Sequence, residues 1–267
     1  MLLSTSSVFP EPTSAAFEMA ASLGYDGLEV MVWTDPVSQD MGALRGLSNH
    51  YGVRVVSVHA PCLLVTQRVW SPDPSERLRR SAALATELGA TTVVVHPPFT
   101  WQRDYARGFP AGLRKLRTEF PNLSFAVENM YPVRMGGREF VPYVPGWDPT
   151  TADFDAFTLD LSHCAASRSN AMEMADAMGS GLAHVHLGDG AGTGRDEHLV
   201  PGRGTQPCAE LLASLTRRGF TGSVAVEVAT RRSTSRAARK ADLAESLAFA
   251  REHLAVPSTV DASAPSI

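Results

Sequence analysis

Cysteine is scarce. Cys62, Cys164 and Cys208 are the only three in 267 residues. An odd, widely spaced trio excludes a disulfide-stapled scaffold and points to a reducing, cytoplasmic setting. Long hydrophobic runs are missing too. None approaches the roughly 20 residues that a bilayer-spanning helix needs, so no membrane partner is expected. The opening MLLSTSSVFPEP lacks a basic stretch and meets a proline early, unlike a secretory signal. Positive charge is not in excess: 24 Lys and Arg against 28 Asp and Glu leave a formal charge of −4. No global field therefore draws the chain to nucleic acid.

What is present is a repeating alternation. Short β-branched runs read as strands at Leu2–Ser7, Gly27–Val32, Val53–His59, Thr91–His96, Leu123–Glu128, Ala156–Leu161, Ala183–Leu187 and Val224–Val228. Between them, Thr13–Leu23, Asp40–His50, Ser75–Leu88, Arg103–Phe120 and Ala165–Met178 carry helical patterning, with Thr13 expected to cap the first. A further amphipathic helix separates the last two strands, and Ser235–Leu254 closes the series. The strand runs are almost continuously apolar, as parallel strands covered on both faces must be. Eight strand–helix units without a linker predict one closed (β/α)8 TIM barrel over residues 1–255, near the usual size of about 250 residues. An open doubly wound sheet is the rival, but no G-x-G-x-x-G follows the first strand. Val256–Ile267 is rich in Ser, Pro and Ala and is expected to be a disordered tail. Asn129–Pro149, with four prolines and a Gly136-Gly137 pair, reads as an irregular lid or binding loop.

His59, His96, Glu128, Asp160, His186 and Glu227 stand at the ends of the third to eighth strands. In a barrel of this kind those ends meet at the C-terminal mouth, where active sites lie. A single strand-end His or Asp is most often just hydrogen-bonded or exposed. Six in succession point to a divalent-metal site, and their nitrogen and oxygen donors suit Zn2+ or Mn2+.

The motifs SVHAP (Ser57–Pro61), VVHP (Val94–Pro97), VEN (Val127–Asn129), LDLSH (Leu159–His163), HVHLGDG (His184–Gly190), DEHLVPGRG (Asp196–Gly204) and VEV (Val226–Val228) resemble the xylose isomerase-like TIM-barrel superfamily. It contains sugar-phosphate isomerases and epimerases and also endonuclease IV. The isomerase branch implies one ion held by Glu128, Asp160, His186 and Glu227. Glu128 and Glu227 then shuttle a proton through a metal-stabilised enediolate, and His163 bonds a substrate oxygen. His59 and His96 are further candidate substrate contacts. The endonuclease branch implies up to three zinc ions and phosphodiester hydrolysis: His59, His96 and Glu128 for one, Glu128, Asp160, His186 and Glu227 for the second, His163, Asp196 and His198 for the third. Against DNA stand the acidic balance and a Met31–Leu44 segment without Lys or Arg. Pro61-Cys62-Leu63 also replaces the Tyr-Leu pair that resemblance to the endonuclease would lead one to expect. A small sugar or sugar-phosphate substrate is the leading expectation, and a small phosphoester remains the rival.

Outside the constellation, Trp33 is a candidate wall of the substrate pocket. The turn Pro201–Gly204 is expected to offer backbone N–H groups and Arg203 to a substrate oxygen. Arg231, Arg232, Arg236, Arg239 and Lys240 follow the last strand, at the frequent phosphate seat of this fold. Glu29, inside the second strand, is expected to pair with a ligand residue or a buried cation.

Overall fold

The structure is a computed structural model that describes residues 1–254; the tail expected at 256–267 lies outside the described residues. The elements are β1 (Leu2–Ser4), α1 (Thr13–Leu23), β2 (Gly27–Met31), α2 (Met41–Tyr51), β3 (Val55–His59), α3 (Pro74–Leu88), β4 (Thr92–Val95), α4 (Arg103–Glu119), β5 (Ser124–Glu128), β6 (Val133–Met135), β7 (Arg138–Phe140), β8 (Phe157–Asp160), α5 (Leu161–Ser167), α6 (Ala171–Met178), β9 (Leu182–Leu187), α7 (Cys208–Arg217), β10 (Ser223–Val226) and α8 (Arg236–Leu254). Eight parallel strands close in the order β1-β10-β9-β8-β5-β4-β3-β2. The expected TIM barrel is therefore the fold.

Two cores result from the pleat. Outward side chains such as Leu28, Val58, Val93, Val127, Leu159, Val185 and Val226 are buried against the helices in one apolar cluster with Phe17, Leu44, Leu84, Leu212 and Leu243. The barrel axis is polar: Ser4, Glu29, Ser57, Thr158, His184 and His186 are all fully buried. A barrel interior normally fills with branched apolar residues, so this polar lining needs internal partners.

Local sequence sets the element ends. Gly24 and Gly89 take left-handed φ of 80° and 72° and stop α1 and α3. Asp40 and Asp73 cap α2 and α3 by accepting from Ala43 N and Ser75 N. Three expectations are corrected. Thr13 does not cap α1; its own N–H is bonded at 2.8 Å by Asp35 from the loop after β2. The single helix expected over Ala165–Met178 is two helices, because Asp160 caps α5 directly at the strand end, Arg168 turns left-handed (φ 62°), and Asn170 starts α6. The stretch Asn129–Pro149 is not wholly irregular: β6 and β7 form an antiparallel hairpin across Gly136-Gly137, both at positive φ as a two-residue hairpin turn requires. Among the described residues, no helix is long and apolar enough to cross a membrane.

Candidate metal and active site

The closed ladder delivers the strand-end side chains to one point. His186 faces inward from β9 because strand side chains alternate and Val185 and Leu187 face the helices. Its Nδ1 lies 3.0 Å from Glu128 Oε1, 3.0 Å from Glu227 Oε2 and 3.5 Å from Asp160 Oδ2. Tetrahedral bonds of 2.0–2.2 Å would set ligand atoms about 3.4 Å apart; Glu128, Asp160 and His186 lie within 4.8 Å of one another, and Glu227 stands at the edge of this group beside His186. Glu128 Oε2 and Asp160 Oδ2 are buried without a hydrogen-bond partner. Unpaired buried carboxylate oxygens are costly, and a divalent cation is the partner their donor set suits. The residues present therefore fit a metal ion.

Two further groups adjoin the quartet. His96 Nε2 lies 2.9 Å and His59 Nε2 3.3 Å from Glu128 Oε2, with the two imidazole nitrogens 3.2 Å apart. On the other side, Asp196 lies 3.1 Å from His198 Nε2 and 3.5 Å from His163 Nε2. Nitrogen and oxygen atoms of His59, His96 and Glu128, and separately of Asp160, His163 and His198, fall within 4.8 Å of one another. The structure thus brings together every residue expected in the nine-member constellation.

Neighbours that the sequence did not single out hold these groups. Asn129 donates to Asp160 O and accepts from Asp160 N, fixing β5 against β8 at the mouth. Ser6 donates to Glu227 Oε1 at 2.9 Å. Ser162 donates to Asp196 Oδ1 and accepts from His198 N. The main omission is Asp189, fully buried after β9. Its carboxylate accepts from the N–H groups of Gly190, Gly202, Gly204 and Gln206, tying down both ends of the loop that bears Asp196 and His198. A Cβ on Gly204 would sit 2.2 Å from Asp189 Oδ1, so only glycine fits there. The glycine-rich sequence around an acidic residue was the available signal.

Proximity of opposite charges sets the electrostatics. Burial pushes the Glu128 carboxyl up, but His186 and His96 outweigh it and hold it well below the usual carboxylate range. Burial likewise opposes charge on His186, yet Glu29, Glu227 and Glu128 drive it well above the usual imidazole value. His163 is raised to about 10, its burial overcome by Asp160 and Asp196, and Asp196 in turn lifts His198. His96 moves the other way, lowered by burial. Without a metal, the site thus balances its carboxylates with imidazolium protons.

A cleft of about 700 Å³ opens beside Glu227, walled by Ser6, Phe9, Met31, Trp33, Leu63 and Arg231. Trp33 lines this cleft. Arg203 stands apart from it. Its guanidinium is bound to Glu245 and Asp242 of α8, and two N–H groups of its turn, those of Gly202 and Gly204, are spent on Asp189; the expectation that they reach substrate is corrected. Two members of the basic cluster are engaged: Arg236 pairs with Glu11 and Glu18, and Arg239 with Glu11 and Thr230. Arg231 stands over the Phe9 ring, 5.7 Å from its centroid. Among the described residues it forms no ion pair.

The geometry has counterparts among known proteins. An uncharacterized protein of Mycobacterium leprae (strain TN) is 48% identical over 271 residues, spanning 94% of this chain and 96% of its own. A solved D-tagatose 3-epimerase-like protein superposes with TM-score 0.67 at 22% identity, covering 95% of this chain and 99% of its own. D-psicose 3-epimerase of Clostridium cellulolyticum H10, solved with D-tagatose, gives 0.68 at 16% identity over 95% of this chain and 98% of its own. At such identities these structures share the fold. The family described as xylose isomerase-like TIM barrel matches residues 17–253, and the chain belongs to that family.

Proposed function

We propose that the protein is a divalent-metal-dependent sugar or sugar-phosphate isomerase or epimerase, with Zn2+ or Mn2+ held by Glu128, Asp160, His186 and Glu227. The observation that carries this reading is the meeting of two carboxylates at one imidazole. Glu128 ends β5 and Glu227 follows β10, separated by two strands one way round the barrel and four the other. Both nevertheless reach 3.0 Å from His186 Nδ1. A carbon placed between them has a base on each side, so one glutamate takes a proton and the other returns it on the opposite face. The ion supplies positive charge for the oxygens beside that carbon. His163, with Nδ1 2.8 Å from Asn129 O, keeps Nε2 for a substrate oxygen, and His59 and His96 flank the same space. The fold shared with D-tagatose and D-psicose 3-epimerases supports a ketose as the substrate class. Arg231 in the cleft supports a phosphorylated one. Three free cysteines support a reducing cytoplasm as its place.

The test is solvent exchange. Manganese- or zinc-loaded protein incubated with D-fructose, D-tagatose or D-fructose 6-phosphate in D2O should place deuterium at the carbon beside the carbonyl. Glu227→Gln and Glu128→Gln should abolish incorporation. No incorporation into any ketose or its phosphate by fully loaded protein would refute the reading.

A second reading is an endonuclease IV-like multinuclear zinc phosphodiesterase or small phosphoesterase. The adjacency of the His59–His96–Glu128 and Asp160–His163–His198 groups to the quartet favours it. Elemental analysis decides: three zincs per chain with cleavage of an abasic-site duplex or of bis(4-nitrophenyl) phosphate support it, and one exchangeable ion with no such cleavage opposes it. The acidic balance of the chain and a cleft with one uncommitted cation weigh against DNA.

A further inference from the structure

We propose that Glu29 is the positioning residue that decides which nitrogen His186 offers to a divalent ion. This rests on the metal-dependent reading above and deepens it. Glu29 leaves the middle of β2 and is completely buried. Its carboxylate lies 2.9 Å from His186 Nε2 and 2.8 Å from His184 Nε2, close contacts not aligned as hydrogen bonds, and it accepts from Ser57 Oγ at 2.9 Å. An ionised carboxylate only accepts hydrogen bonds. Both ring nitrogens of His186 face carboxylates, Nδ1 that of Glu128 and Nε2 that of Glu29; once an ion takes Nδ1, the remaining proton sits on Nε2 beside Glu29. Nδ1 is then the donor atom aimed at Glu128, Glu227 and Asp160.

Three of the four other imidazoles of the site, all but His96, are oriented by a main-chain carbonyl. His59, His163 and His198 each direct Nδ1 at a main-chain carbonyl, of Ala60, Asn129 and Glu227 respectively, at 2.8–3.1 Å. Each therefore presents Nε2 to the cluster. His186 is reversed. It sits inside β9, whose backbone pairs with β8 on one side and β10 on the other. The carbonyls around it belong to the ladder, so the acceptor that orients the ring must come from elsewhere in the barrel. Glu29 reaches it from β2, which β10 and β1 separate from β9. His184, two residues earlier on the same face, occupies the other carboxylate oxygen and is itself held at Nδ1 by Ser223 Oγ at 2.7 Å. The carboxylate is thus held by Ser57 and enclosed between the two imidazoles.

In Glu29→Gln one acceptor oxygen becomes a donor, so at least one of the two imidazoles must turn over its proton. In Glu29→Ala both lose their anchor. Carboxylate partners of metal-bound imidazoles are worth about 10–100-fold in metal affinity.

The experiment is a Zn2+ competition titration against a chromophoric chelator on the full chain, with circular dichroism and a metal-free melt to establish folding. Glu29→Gln and Glu29→Ala should bind Zn2+ about 10–100-fold more weakly, and Ser57→Ala should show a smaller loss. In zinc-loaded wild-type protein with 15N-labelled histidine, His186 should carry its proton on Nε2 and its zinc-shifted resonance at Nδ1. This signature does not depend on whether the variants fold; an upfield move of the Nε2 proton resonance in folded, zinc-loaded Glu29→Gln is the readout that a purely structural role for Glu29 would not produce. Zinc on His186 Nε2, or unchanged affinity in folded Glu29 variants, overturns the proposal while leaving the metal reading intact. A wild-type protein that takes up no Zn2+ overturns both.

Discussion

Asp189→Asn tests whether one buried carboxylate holds the loop that completes the site. Asp189 Oδ1 accepts from Gly190 N and Gln206 N at 2.8 and 3.0 Å, and Oδ2 from Gly202 N and Gly204 N at 3.0 and 2.9 Å. Asparagine keeps one oxygen and turns the other acceptor into a donor. Two backbone N–H groups then face an NH2 group in a place without solvent. Each hydrogen bond lost to a charged acceptor costs about 1.5–3 kcal/mol. Two of them, partly offset by loop relaxation, should destabilise the protein by about 3–5 kcal/mol. At about 2–4 °C per kcal/mol for a chain of this size, the metal-free melting temperature should fall by roughly 6–20 °C. Amide hydrogen exchange at Gly202 and Gly204, or at Gly190 and Gln206, should accelerate in parallel. Because the loop also bears Asp196 and His198, Asp189→Asn separates the two functional readings. A single ion at Glu128, Asp160, His186 and Glu227 should remain, whereas an ion held by His163, Asp196 and His198 should be lost. A melting temperature within about 1 °C of the parent, with unchanged exchange at all four amides, would refute the reasoning.

Other consequences are open to measurement. Divalent-ion binding should release protons, because His186, and with further ions His163 and His198, are held above the usual imidazole value and must shed protons to become ligands. Calorimetry in buffers of different ionisation enthalpy should show that release near pH 7, and the His163 share of it should shrink as pH rises through about 10, where His163 loses its proton unaided. Arg231→Gln should weaken binding of D-fructose 6-phosphate about tenfold, the loss of one charge-assisted contact, and leave D-fructose unchanged; equal effects on both sugars would remove Arg231 as an anion reader. Burial pushes the Cys62 and Cys164 thiols up to about 11 and about 12, and Cys208 higher still. At pH 8 a disulfide reagent should therefore label the native protein slowly and all three thiols at once after denaturation. Rapid labelling of native protein would contradict the burial.

Much of the architecture was written in local patterns. The alternation of β-branched runs with helical stretches is a consequence of backbone periodicity, and each run bounded by Gly, Pro or a capping Asp carried its own start and stop. Strand-end His59, His96, Glu128, Asp160, His186 and Glu227 were legible because a closed parallel barrel has a single mouth and residues at strand ends must meet there. Where expectation and structure part, the deciding contact comes from far along the chain. Asp35 supplies the N-terminal bond of α1, so Thr13 is not needed as its cap. Arg203 looked free beside a glycine-rich turn, but Glu245 and Asp242 arrive from α8 to take its charge.

The same distinction divides the site. The identity of the candidate metal donors follows from residue type and position along each strand, since side chains alternate with a period of two and the last inward residue of each strand reaches the mouth. Which nitrogen of His186 faces the carboxylates, that Glu29 and His184 share a buried pairing, and that Asp189 gathers four N–H groups from a loop closing 17 residues later at Gln206 could not be read in advance. Those are contacts between elements remote in sequence, selected only when the barrel closes and its interior, cut off from water, forces every buried charge and N–H to find a partner.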